Sequence, residues 1–177
     1  MAELIAIAGG IAAIVQLAGT GRRLCKILHQ FATDAGAAGV EVRRFANQVR
    51  TFSDSIELAE RTLFIYCRDH RTSRLVADME ERNILANIDY EAETVRAHLR
   101  AIRDRVLNMK SRSVLWATIK WRFNKASILE LSPEMESVKT NLNLIIATTQ
   151  FEALTTVVDA GIASNSEEPN GELQTQM

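Results

Sequence analysis

Two pairs of cysteine and histidine are the residues of this 177-residue chain whose types and spacing could bind a metal. Cys25 and His29 are four residues apart, and Cys67 and His70 are three residues apart. Two thiolates and two imidazoles are a common ligand set for tetrahedral zinc. A zinc site would form only if the elements that carry the two pairs bring all four side chains to one point.

The elements that carry these pairs are predicted to be long helices. Apolar residues recur with alternating spacings of three and four over residues 4–28, 42–66, 85–109 and 135–145, the pattern of helices packed with a heptad repeat. The fourth series continues less regularly through Thr149, Ala153 and Val157. If the first two helices are antiparallel neighbours, Cys25 and Cys67 lie roughly 30 to 45 Å apart. The sequence therefore predicts no metal site. Cys25 is expected in the core, and His29 and His70 at the surface.

Other catalytic motifs are also missing from the sequence. It contains no nucleotide-binding glycine loop, no G-x-S-x-G turn and no E-x-x-H pair of the kind that holds two irons in a helical bundle. We therefore predict no enzyme activity, no catalytic residue, no cofactor and no small-molecule substrate.

Composition narrows the class of protein further. Hydrophobic residues make up 47% of the chain, enough for a sizeable core, and two prolines and eight glycines are few. The 21 basic and 22 acidic residues nearly cancel, which argues against a nucleic-acid-binding protein. Two cysteines do not form a disulfide framework, so we expect a reducing, cytoplasmic location.

Polar segments separate the predicted helices. The segments 32–39 and 68–73 carry glycine or charge between apolar stretches. Residues 111–131 are less regular and predict a shorter basic helix to about Asn124, and Ser132 followed by Pro133 predicts the next helix start. The expected fold is all-α, a bundle of four long helices plus the shorter basic one, over residues 1–160. Residues 161–177 are predicted to be a disordered acidic tail or the start of a linker.

The opening helix is unusually apolar, because Gln16 is the only polar side chain between Leu4 and Ala18. An acidic residue near the start argues against a signal peptide, and fifteen residues span roughly 22 Å, less than a bilayer core. The helix is then either the central helix of the bundle or a conditionally membrane-inserting one. The insertion candidates are Leu4, Ile5, Ile7, Ile11, Ile14, Val15 and Leu17.

A basic stretch at 109–125 is the second candidate for function. It contains both tryptophans, Trp116 and Trp121, and no acidic residue. Basic residues mixed with tryptophan suit contact with anionic lipid headgroups, although the tryptophans could equally cap the bundle. The headgroup-contact candidates are Lys110, Arg112, Lys120, Arg122 and Lys125.

Two segments resemble a known family. Both segments are similar to the N-terminal domains of fungal STAND and NOD-like receptor proteins, the HeLo-like group. The first segment is the opening MAELIAIAGGIAAIVQLA. The second is a later run that contains, in order, Lys120, Trp121, Leu129, Met135, Val138, Lys139, Leu142 and Leu144. The likeness covers about residues 1–158. It implies a helical bundle that, in several related domains, releases its N-terminal helix to damage the plasma membrane during incompatibility and programmed cell death.

This resemblance implies a membrane-active signalling or cell-death domain recruited to the plasma membrane. At rest, the insertion candidates would be buried against the second and third long helices and the helix after Ser132, and membrane damage would require oligomers formed through helices. The alternative is a non-lytic interaction or autoinhibitory module that binds another helical protein. No nucleotide-binding loop follows, and no β-prone segment of the kind used in amyloid templating lies in the tail.

Overall fold

The computed structural model describes the backbone of residues 2–70, 73–109 and 114–166. Its side chains are described within 11–159, except for 34, 37, 71–72, 80, 85, 109–120, 122–125 and 127. Five α-helices are present in this part: α1 (Ala2–Asp34), α2 (Gly39–Asp69), α3 (Arg74–Glu81), α4 (Ile84–Met109) and α5 (Val114–Ser166). A short 3-10 helix, Gly36–Ala38, links α1 to α2, and the described residues contain no strand. The predicted all-α class and the four long helices are confirmed.

The four long helices form a bundle in which α1 and α5 lie on one diagonal. Each packs chiefly against α2 and α4. Arg22 of α1 pairs with Glu57 of α2, and His98 of α4 pairs with Glu134 of α5, so that both of these helix pairs run antiparallel. α1 and α5 contribute side chains to the same core cluster, but α1 lies alongside α2 and α4 rather than alongside α5.

The heptad positions fill the core as predicted. The apolar residues at heptad spacing form one seam along each helix. Every position of this predicted seam in α2, from Val42 to Tyr66, is buried, and so is every position in α4 from Ile88 to Val106. Large side chains with no more than 1% exposure come from all four long helices: Ile14, Leu17, Leu24, Leu28 and Phe31 of α1, Val42, Val49, Ile56 and Leu63 of α2, Leu99 and Val106 of α4, and Leu131, Val138 and Leu142 of α5.

The helix ends follow from local chemistry at the two predicted breaks. Gly36 has a φ of 54°, a left-handed conformation that follows many helix ends and favours glycine. The Ser73 hydroxyl accepts a hydrogen bond of 3.1 Å from the backbone N–H of Val76 and so caps the start of α3. The eight residues of α3 are too few to show the periodicity by which the longer helices were predicted.

The region around Pro133 differs from the prediction. The residues expected to form a separate basic helix open α5 instead, and α5 continues through Pro133 without a break. A proline inside a helix removes one backbone hydrogen bond and costs about 3 kcal/mol. Apolar positions remain in register on both sides of it, so a continuous helix can bury Leu131 and Met135 together, which compensates for that loss. α5 runs on to Ser166, and the rest of the predicted tail, 167–177, lies outside the described residues.

Gly21 lies where α1 closely approaches α2. A Cβ at this buried glycine would lie 2.1 Å from the Ser53 Oγ and 3.6 Å from the Val49 Cγ1. Ser53 is fully buried, and its hydroxyl donates a 2.7 Å hydrogen bond to the Val49 carbonyl, which holds the Oγ in place. The two helices can therefore be this close only with glycine at position 21.

We expect Gly21→Ala to lower the free energy of unfolding by about 1–3 kcal/mol, because the added methyl overfills this contact. Urea unfolding measures the loss. The matched control is Gly19→Ala, where a Cβ meets nothing within 4 Å and the change should stabilise the helix slightly. Combining Gly21→Ala with Ser53→Ala should recover much of the loss, whereas additive effects of the two changes would contradict this account.

Candidate functional site

The two cysteine and histidine pairs are not brought together. Cys25 belongs to the main core cluster, whereas Cys67 belongs to a second cluster with Tyr66 and Val76. Neither cysteine forms a disulfide, and burial raises the pKa of the Cys25 thiol. Within the described residues, no three histidine, cysteine or acidic side chains come close enough to hold a metal ion.

The insertion candidates of α1 divide between the core and the surface. Ile11, Ile14 and Leu17 are buried, but Val15 is 47% exposed. The prediction that all of them are buried at rest is therefore wrong for Val15, which lies on the side of α1 away from α2 and α4. The side chains of Leu4, Ile5 and Ile7 lie outside the described residues.

The outward face of α1 carries no charge over two turns. Ala12 and Val15 are exposed on it, and Gly19 has open space around its Cα. Gln16, the only polar side chain of the apolar stretch, accepts a hydrogen bond from Arg96 of α4. This polar group thus serves the contact between α1 and α4. No helix in the described part of the chain combines the length and the apolar character that crossing a bilayer requires.

The basic stretch gives one clear result, at Trp121. This tryptophan is 3% exposed, and its ring lies with centroids 6.3 Å from both Phe31 and Phe45. It therefore caps the bundle where α1 ends and α2 begins, and it cannot contact lipid headgroups in this arrangement. Lys110 and Arg112 lie outside the described residues, as do the side chains of Trp116, Lys120, Arg122 and Lys125.

An apolar surface that was not predicted lies on α5. Residues 154–159 are all exposed, so α5 projects beyond the other helices. Val157, predicted to continue the fourth seam, is 70% exposed, and that prediction is wrong because the bundle has already ended there. Four large apolar side chains form a row along the outer side of α5, called the α5 stripe below. They are Leu144, Phe151, Leu154 and Val158, and they are 66%, 70%, 66% and 57% exposed, respectively.

The α5 stripe carries no charge of its own. Glu152 is the only charged residue between 140 and 158, and it is directed into the protein. Its carboxylate accepts hydrogen bonds from the Tyr66 hydroxyl, from the Ser73 hydroxyl at 3.3 Å and from the Leu75 N–H at 3.4 Å. These bonds join the end of α2 and the start of α3 to α5. The Glu152 carboxylate therefore lies off the α5 stripe, on the side of α5 that contacts α2 and α3.

Two clefts adjoin α5. One, of about 310 Å³, lies between α3, α4 and α5, and Leu144 belongs both to its lining and to the α5 stripe. Its other apolar lining residues are Leu75, Met79, Ile84, Ile88 and Ile145. The second, of about 620 Å³, lies between α2 and α5 and has the charged residues Arg43, Arg44 and Lys139 in its lining. Lys139 is already paired with Glu136 at 2.6 Å. Through Leu144, the apolar surface of the α5 stripe continues into the first cleft.

Comparison with protein-family models, with curated proteins and with solved structures found no match. The resemblance to the fungal N-terminal domains therefore rests on the sequence segments alone and stays a prediction. The fold and the surface features above are the grounds for a function.

We expect Glu152→Ala to destabilise the chain by about 1–3 kcal/mol, because the Tyr66 and Ser73 hydroxyls and the Leu75 N–H would lose their shared acceptor. Glu152→Gln keeps one acceptor oxygen and should cost less. Urea unfolding again measures the loss, with Asp159→Ala as a control on the exposed end of α5 that should stay within about 0.5 kcal/mol. Equal effects of Glu152→Ala and Asp159→Ala would contradict this role.

Proposed function

We propose that this chain is a helical protein–protein interaction domain that acts through the outer side of α5. The observation that supports it is the α5 stripe, a row of large apolar side chains left in water without a charge among them. Single exposed apolar residues are ordinary, but a contiguous uncharged row marks a binding surface. An amphipathic helix face of this kind is recognised by another helix or by an apolar groove.

The free energy of burial favours this proposal over release of α1. Five large side chains of α1 are at most 1% exposed, and burying each contributes about 1.5–3 kcal/mol. Withdrawing α1 would therefore cost about 10 kcal/mol, which is comparable with the whole stability of a domain. Burial of α1 in lipid could recover the part of this free energy that comes from the α1 side chains, but the apolar seams of α2 and α4 would be left exposed to water. Docking on α5 requires no such opening.

The membrane-active domain is the second candidate, and the uncharged outer face of α1 between Ala12 and Gly19 is the observation that favours it. In that function, α1 enters an anionic membrane surface and the basic stretch around Lys120 contacts headgroups. The resemblance to the fungal receptor domains supports the same candidate. The two functions differ in whether α1 must leave α2, and the contact at Gly21 provides a test.

A disulfide between α1 and α2 separates the two functions. A Cβ at Gly21 would lie 3.4 Å from the Cβ of Ser53, close to the spacing of about 3.5–4.5 Å in disulfides. The double variant Gly21→Cys, Ser53→Cys should therefore form a disulfide that locks α1 in place. We expect neither the oxidised nor the reduced form to release dye from vesicles that contain anionic lipid. Release by the reduced form alone would overturn the interaction proposal and support insertion of α1.

Photo-crosslinking tests the interaction surface itself. Replacing Phe151 with a photoreactive phenylalanine analogue should give covalent adducts to protein in cells that express the chain, because this residue lies at the centre of the α5 stripe. The matched control is the same analogue at Tyr90 of α4, which is also aromatic and is 78% exposed. Adducts of equal yield at both positions, or none at position 151, would contradict the proposal.

A further inference from the structure

We infer that the partner of the α5 stripe is a second copy of this chain, and that two copies pair through α5 in a symmetric dimer. This inference rests on the proposed function and names the partner of the same surface. Spacing, charge and area along α5 support it.

The spacing of the stripe is that of a two-helix seam. Leu144, Phe151 and Val158 recur every seven residues, and Ala147 and Leu154 stand three residues after the first two. All five are exposed. This is the a and d pattern with which one helix packs along another. Leu142, which is fully buried, lies half a turn away from Phe151, so the stripe faces directly away from the core.

Charge favours a like partner over a charged one. Because Glu152 is held by Tyr66, Ser73 and the Leu75 N–H, the stripe offers no ionic partner to a basic or acidic peptide, and it has no lysine or arginine to attract anionic headgroups. Two copies of the stripe, however, meet without any repulsion between like charges. A symmetric pair uses the same patch on both molecules, so a surface that is neutral and heptad-spaced is complementary to itself.

The exposed apolar area of the α5 stripe is enough for a weakly associating dimer. The four large side chains of the stripe present roughly 100–150 Å² each, or roughly 500 Å² per copy and 1,000 Å² per pair. That value is at the lower limit for a specific interface. Leu144 also borders the cleft between α3, α4 and α5, which extends the apolar surface on that side. We therefore expect a dissociation constant in the micromolar range rather than a permanent dimer.

The inference is tested by analytical ultracentrifugation of the full chain. Protein concentrations from about 1 to 200 µM bracket the expected dissociation constant. We expect the sedimentation coefficient to rise with concentration towards that of a dimer. Phe151→Glu should remain monomeric over the same range, because it places two carboxylates in the seam. The control is Val157→Glu, which is equally exposed at 70% but lies about a third of a turn from Phe151 and should still dimerise.

Circular dichroism and thermal unfolding of both variants check that the bundle stays folded, which is expected because both positions are exposed. A chain that is monomeric at every concentration, or equal behaviour of the two variants, would overturn the dimer. If photo-crosslinking at position 151 then yields adducts to other proteins only, the interaction domain stands without the dimer. If no adduct forms at that position, both proposals fail.

Discussion

The burial of α1 between α2 and α4 is the interaction on which the rest of the structure depends. A helix whose residues from Leu4 to Ala18 include a single polar side chain, Gln16, is not stable alone in water, and α2 and α4 provide the two apolar seams that cover it. After the apolar stretch, charged residues resume at Arg22, where the pair with Glu57 can lie at the surface. At Gly21 the two helices come close together, and at the other end of the core the Trp121 ring of α5 lies against Phe31 of α1.

The sequence predicted the core well because the seams of α2 and α4 are long and regular. A heptad repeat indicates both that a segment is helical and which side of the helix is buried. The burial of the heptad positions from Val42 to Tyr66 can therefore be predicted from spacing alone. Val15 shows the limit of this reasoning. An apolar residue in an apolar run was assumed to be buried, but α1 has neighbours on two sides only, and which side lacks a neighbour depends on how the four helices are arranged.

The features of α5 could not be read from local sequence for two different reasons. Ser132 and Pro133 form a good helix start, and only the shared burial of Leu131 and Met135 in the bundle makes a continuous helix better. The exposure of Val157, a predicted core position, depends on where α2 ends, at Asp69, because Tyr66 contacts Glu152 close to that end and Val157 lies beyond it. The length of one helix thus decides whether residues of another are core or surface, and periodicity carries no information on that.

The amino-acid composition at the end of α5 favours a helix only weakly, so the helix there needs packing from outside the bundle. Thr155, Thr156, Val157 and Val158 are consecutive β-branched residues, which lose side-chain freedom in a helix and are weak helix formers. Beyond Ala153 they have no neighbouring helix to pack on, and helices gain most of their stability from such packing. A second α5 laid along the stripe would supply that packing to both copies at once. Pairing and the helical order of residues 154–166 are therefore expected to be coupled, and part of the free energy of association is spent on ordering this segment. This coupling is a physical reason for a dimer weaker than its apolar area alone would suggest.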